Sequence, residues 1–252
     1  MKETILITGA NSLIAQRLIP LLSPYYNIKS LTRKPQNEHE YIWDTQKWTI
    51  DPRALDDVNY IIHLSGAKLN DGTPLTPERK KLVRDSRIEA ANFLRRQLKN
   101  RNQKIASFIS ASAIGYYGFQ DNELHIDENG AKGIGFSAEL SADWEAAASL
   151  FKKEGIAQRV VQIRVSLVLG NKGGIYPMYE QMAQQSSEEI SQIPNSYIPW
   201  NHIEDMAGIF AHAVTHQLDG IYNSVAPEPA SMKQIIETIK ATKENTYNAP
   251  IG

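Results

Sequence analysis

The 252-residue chain reads as an α/β protein built on a doubly wound, largely parallel sheet. Three observations predict this. The segment ETILITGANSLIAQRLIPLL (3–22) joins a short apolar run, Ile5 to Ile7, to Gly9 and then to Leu13, Ile14, Leu18, Leu21 and Leu22 at helical spacing. That is the pattern of a buried strand, a tight turn and a helix that packs back on the sheet. Strand-like runs at 4–8, 28–32, 59–64, 105–111 and 160–168 then alternate with helical patterns at 12–23, 76–99, 139–154, 204–217 and 231–243. Such alternation implies parallel βαβ units. Finally, a hydrophobic fraction of 42% at this length supplies one large core.

Each element carries a consequence. In dinucleotide-binding folds the first turn holds three glycines, so that backbone approaches a pyrophosphate at the helix N-terminus. Here Gly9 is followed by Ser12 and Ala15 at the other two positions. The expected cradle is Gly9 with the amides of Asn11, Ser12, Leu13 and Ile14. Ala15 is a mild change, because that glycine serves helix–strand packing. Ser12 places a Cβ where backbone should approach phosphate, or a hydroxyl able to bond it. A turn that no longer binds nucleotide is the competing reading. The second strand ends in Thr32, Arg33 and Lys34, where an acidic residue would bind a ribose 2′-hydroxyl. A basic pair there suits a 2′-phosphate, hence NADP in preference to NAD; the alternative is a solvated basic loop. The third strand ends in HLSGA (63–67), whose Leu64, Ser65 and Gly66 let backbone pass close to a nucleotide. A central strand then delivers Ser110 and Ser112 to its carboxyl end, followed by Gly115, Tyr116, Tyr117 and Gly118.

Composition narrows the classes. Net charge is −1 with both signs interspersed, so neither a nucleic-acid nor a membrane partner is expected, and a small-molecule substrate is. No apolar run is long enough to span a bilayer, and the N-terminus does not read as a signal peptide, which leaves the cytoplasm as the expected location. Cysteine is absent, excluding disulfides and thiolate chemistry. The segment 170–200 breaks the βα rhythm. It and the C-terminal piece are expected to form a small substrate lobe, about 171–203 and 226–252, on one Rossmann-like domain covering 1–252. Oligomeric state is not legible.

TGANSLIA (8–15), HLSGA (63–67), Asp85–Arg87, SASAIGYYG (110–118), DWEAAA (143–148), VVQIRVSLVLGNKGG (160–174), WNHIED (200–205) and IYNSVAPEP (221–229) occur in this order along the chain. As a set they resemble the extended short-chain dehydrogenase/reductase superfamily, and within it the atypical epimerase family proteins. The resemblance implies a nicotinamide cofactor; epimerase-like relatives use Ser/Thr with Tyr-x-x-x-Lys, in which tyrosine exchanges a proton and lysine lowers its pKa, whereas the atypical group generally lacks the pair. Ser112 matches the serine. Ser137 and Ser141 stand at the tyrosine and lysine positions, and neither replaces the lost group. Tyr116 and Tyr117 are the substitute candidates for the acid; no lysine partner is evident, Lys172 of a neighbouring loop being one the sequence does not place, and packing is the plainer reading of both tyrosines. His202 and the His212/His216 pair read as structural or solvated. The expected function is an atypical NADP(H)-binding epimerase/reductase-like protein of unknown substrate. The alternatives are a non-catalytic NADP(H)-binding regulatory or sensor protein, and a fold that binds no nucleotide.

Overall fold

Period-two alternation decides how the first strand is buried. Ile5 and Ile7 enter one hydrophobic cluster and Leu6 the other, and all three are fully buried. A strand apolar on both faces needs helices on both faces, and the computed structural model supplies them. It describes residues 2–69, 72–118, 126–170 and 173–247, without the side chains of 244–247. In chain order the elements are β1 (Thr4–Thr8), α1 (Leu13–Leu22), β2 (Asn27–Thr32), β3 (Glu40–Asp44), β4 (Thr49–Ile50), β5 (Val58–His63), α2 (Pro77–Asp85), α3 (Ile88–Asn100), β6 (Ile105–Ala113), α4 (Phe136–Lys153), β7 (Ala157–Val165), β8 (Leu167–Gly170), β9 (Gly173–Gly174), α5 (Tyr176–Met182), α6 (Ser187–Ser191), β10 (Tyr197–Ile198), β11 (Trp200–His202), α7 (Ile203–Thr215), β12 (Gly220–Ser224), β13 (Ala230–Ser231) and α8 (Met232–Tyr247). Short 3₁₀ turns occupy Pro52–Leu55 and Ile114–Tyr117.

The main sheet runs β12-β7-β6-β5-β1-β2-β3-β4, parallel throughout except for the terminal β3–β4 hairpin. The chain winds outward from β1 in one direction through β2 and β3, then returns to β5 on the other side. Order therefore reverses between β1 and β5, and the crevice at their carboxyl ends is where such sheets hold ligands. One cluster packs α1, α4 and α7 on the sheet through Leu18, Leu140 and Phe210. The other packs α3 and α4 through Leu94, Leu98 and Phe151.

Departures from the expected elements have local causes. The helix expected over 76–99 is two, α2 and α3, because side chains compete for the carbonyl oxygen of Val83. Both the Ser86 hydroxyl, at 2.9 Å, and Arg87 Nη1, at 3.0 Å, donate to it. The strand expected at 160–168 is also divided. β7 stays in the main sheet, while β8 leaves it to pair with β11 and β9. β12 and β3 were not expected; each is a polar-mixed strand toward a sheet edge, with weak alternation. Leu169, Tyr179, Ile190, Ile235 and Ile236 form a third cluster, which draws the 173–202 region and α8 together. Residues 171, 172 and 248–252 of the expected lobe lie outside the described residues, and Lys172 with them.

Candidate functional site

The β1–α1 turn is tied to the end of β5. Gly9 has φ +68°, and a Cβ there would sit 2.6 Å from the carbonyl oxygen of Leu64 and 2.9 Å from the amide of Ser65. Glycine is thus required twice over, by conformation and by contact. Ser12, with φ −71° and ψ 155°, sits in a region open to any residue, so nothing there demands glycine. Its side chain caps α1, accepting from the amide of Ala15 at 3.2 Å. Ala15 itself is fully buried against the sheet. The amides of Leu13 and Ile14 donate to no group among the described residues. Two orphan donors at a helix N-terminus behind an obligatory glycine are what a phosphate needs, so the turn fits a dinucleotide with Ser12 in place.

At the end of β2, Arg33 and Lys34 are exposed, and the Thr32 hydroxyl accepts from the amide of Lys34 at 3.3 Å. Asp44, on the adjacent β3, is an acid that feels the charge of Arg33. The amides of Lys47 and Gln46 hold its carboxyl below the usual range, and the charge of Arg33 adds to this. The Asp44 carboxylate is held by its own turn (2.8 and 3.0 Å), which leaves the basic pair displayed to solvent.

At the end of β5 a polar pin fixes the loop. The Thr8 hydroxyl accepts from the amides of Leu64 and Ser65, each at 3.1 Å, and contacts His63 Nδ1 at 2.9 Å. Both its lone pairs are used, so its proton goes to Nδ1. His63 is therefore neutral with hydrogen on Nε2, which donates to the carbonyl oxygen of Arg87 at 3.1 Å. Burial pushes the His63 pKa down to about 4. Ser65 donates to the Ser86 carbonyl at 3.1 Å, and the Ala67 amide donates to the Ser86 hydroxyl at 2.9 Å. Gly66 lies on the exposed side of this loop, with the Arg87 guanidinium directly against it.

The end of β6 shows where the expected reactive groups go. The Ser112 hydroxyl is 2% exposed and donates to Glu145 Oε1 at 2.7 Å. Arg164 grips the same carboxylate with two bonds, Nε at 2.8 Å and Nη2 at 2.9 Å. Burial alone would lower the Arg164 pKa, but its bonds to Glu145 and the attraction of that carboxylate drive it up instead. Arg164 Nη1 also donates to the Tyr117 hydroxyl at 2.6 Å, whose own proton is shared between the Asp127 carbonyl and Asn223 Oδ1. Tyr117 is buried; Tyr116 is half-buried, with Arg164 stacked 3.7 Å from its ring centroid. No bond to the Tyr116 hydroxyl occurs among the described residues. Ser110 is buried and bonds the Ala111 carbonyl at 2.8 Å. Ser137, Ser141 and Glu145 share one face of α4. A Cβ on Gly115 would meet Ser137 at 3.2 Å and the Ser141 hydroxyl at 3.8 Å, so both serines border the turn that follows β6.

The structure thus brings Gly9 to Ile14, Leu64 to Gly66 and the β6 serines to one end of the sheet. It commits Ser112 and Tyr117 to a buried network that sequence reasoning missed. Glu145 and Arg164 are 33 and 52 positions beyond Ser112, and only the α4–β7 packing joins them. His202 caps α7, accepting from the Glu204 amide at 3.3 Å. His212 and His216 stack on the exposed face of α7. A cleft of about 570 Å³, with Arg17, Trp200, His202 and Thr238 on its walls, is lined by none of the residues expected at the site. Among the described residues no group of three or more His, Asp or Glu side chains is placed to hold a metal, and no helix is long and apolar enough to cross a membrane.

Comparison with known proteins agrees with this geometry. No family model matches the chain. An epimerase family protein of Mycobacterium leprae is 28% identical over 233 residues, covering 91% of this chain and 74% of that protein. The human epimerase family protein SDR39U1, solved with NADPH, superposes with a TM-score of 0.78 at 25% identity, over 94% of this chain and 79% of that one. A nucleoside-diphosphate sugar epimerase of Corynebacterium glutamicum also gives 0.78 at 25% identity; the match covers all of this chain but only 56% of that structure. The switch-point crevice, the glycine turn and these likenesses together make the chain similar to the epimerase family proteins and give it a Rossmann-like fold of the kind those relatives share.

Proposed function

We propose that this chain is an atypical NADP(H)-binding protein of the epimerase/reductase-like kind that works without a Tyr-x-x-x-Lys pair. The observation that carries the cofactor reading is the cradle: Gly9 pressed on Leu64, with the amides of Leu13 and Ile14 free of acceptors among the described residues. Arg33 and Lys34 would hold the 2′-phosphate, and the NADPH in the human relative supports that choice. When bound, the nicotinamide supplies a hydride donor or acceptor. The chain's own part would be to orient a carbonyl or alcohol beside it, and Tyr116 is the candidate acid, its hydroxyl making no bond among the described residues. Ser112 can donate to a ligand only by giving up its bond to Glu145.

That last point favours a second reading, a non-catalytic NADP(H)-binding regulatory or sensor protein. A serine alcohol at positions 137 and 141 does not ionise usefully near neutrality, and positioned acid–base groups ordinarily contribute roughly 10²–10⁴-fold. The test is incubation with NADP and a panel of nucleotide sugars, following reduced cofactor by absorbance and epimers by NMR. Turnover is expected to be absent or very slow. Where slow turnover is found, Tyr116→Phe should abolish it. Tyr117→Phe should instead lower stability, through lost buried hydrogen bonds. Rapid epimerisation that survives Tyr116→Phe would remove Tyr116 from the mechanism.

A further inference from the structure

One half-buried cation near the crevice has no carboxylate partner among the described residues. Arg87 opens α3 beneath the loop that follows β5. Its Nη1 donates to the carbonyl oxygens of Ala67 and Val83, both at 3.0 Å, and its guanidinium lies 5.1 Å from the Trp144 ring centroid. No carboxylate pairs with it among the described residues, and its Nε and Nη2 donate to no protein group there, although neither is sealed from solvent. Burial, and then the neighbouring charge of Arg79, bring its pKa down to about 10, so it remains charged at neutral pH. The carbonyl end of α2 and the Trp144 ring offset part of that charge, and Nε and Nη2 stay open to solvent and without a protein acceptor among the described residues.

Contacts along the loop connect this cation to the cradle. Gly9 presses on Leu64 and Ser65; Gly66 follows, and a Cβ there would lie 2.8 Å from Arg87 Cζ and 3.0 Å from Nη1 and Nη2. Absence of a side chain at Gly66 keeps the guanidinium at the surface of the loop that borders the β1–α1 turn. We infer that Arg87 is a second phosphate-recognising residue of this crevice, directed at the diphosphate of a dinucleotide bound over Gly9 to Ile14. Its planar fork gives two parallel donors to a phosphate, which a lysine does not. This rests on the cofactor reading above and adds to it a residue distinct from the 2′-phosphate pair.

The experiment is isothermal titration of wild type, Arg87→Gln and Arg87→Lys with NADPH, NADH and ADP, each at two salt concentrations. Loss of one charge-assisted phosphate contact should weaken all three ligands in Arg87→Gln by roughly 10-fold or more, with Arg87→Lys intermediate. The NADPH-to-NADH ratio should stay as in wild type, and the salt dependence of binding should flatten, which a merely structural role would not produce. Should Arg87→Gln fail to fold by circular dichroism, Arg87→Lys decides alone, with a several-fold loss expected. Variants that bind NADPH and ADP within twofold of wild type overturn the inference while leaving cofactor binding intact. A wild type that binds no nucleotide overturns both.

Discussion

Ser12 shows how one residue in an otherwise standard turn is absorbed. It departs from the glycine pattern, yet its backbone is unstrained and its oxygen satisfies an orphan amide of α1. Glycine is nearly as good at an N-cap as serine, whereas alanine typically costs about 1 kcal/mol. Ser12→Gly should therefore change stability by a few tenths of a kcal/mol and leave NADPH affinity equal or improved. A clear loss of affinity on titration would show that the hydroxyl itself contacts phosphate. His63 makes a pH-dependent prediction. Its folded pKa of about 4 lies below the ordinary unfolded value of about 6.5, so between them the unfolded chain binds more protons. Its contribution is complete above the unfolded value and is lost as pH falls toward the folded one, about 3 kcal/mol in all. Urea denaturation at pH 7.5 and 4.5 should show a larger drop for the native sequence than for His63→Gln. Parallel drops would mean that His63 does not couple to acid.

At the scale of elements, α4 is where sequence and structure diverge most usefully. Its helix was visible from residue types, and so was the replacement of tyrosine and lysine by Ser137 and Ser141. What the spacing did not reveal is that Glu145, one turn further on, anchors Arg164 of β7 inside the core. A charged pair buried to 7% and 1% exposure has no hydrophobic signature, and its partners meet only after the sheet forms. Removing one member of a buried pair typically costs 3–5 kcal/mol, because the other charge stays behind. Glu145→Ala should destabilise the protein on that scale in chemical denaturation, while Glu139→Ala on the exposed face of α4 should be close to neutral. Equal, small effects would mean the ion pair does not support the β6–β7 ends. The division of 76–99 into α2 and α3 was hidden for a related reason: Ser86 and Arg87 fit a helix by propensity, and only competing side-chain bonds to Val83 end it. By contrast, β1, whose residues alternate cleanly between the two clusters, was legible to its bounds.

For the whole molecule, strand order controls function, since reversal between β1 and β5 creates a crevice into which the β1, β2, β5 and β6 ends all face. The cradle amides, the basic pair and Tyr116 belong to that end of the sheet, while the 570 Å³ cleft belongs to the packing of α1, α7 and α8. The central claim is that this crevice takes NADP(H) in preference to NAD(H). Side-by-side isothermal titration of the native chain with NADPH and NADH tests it most directly, with Arg33→Ala as the companion variant. One charge-assisted phosphate contact carries roughly 1.5–3 kcal/mol, so NADPH should bind at least tenfold more tightly and Arg33→Ala should narrow that gap markedly. Equal affinities for the two nucleotides, or binding of neither, would contradict it.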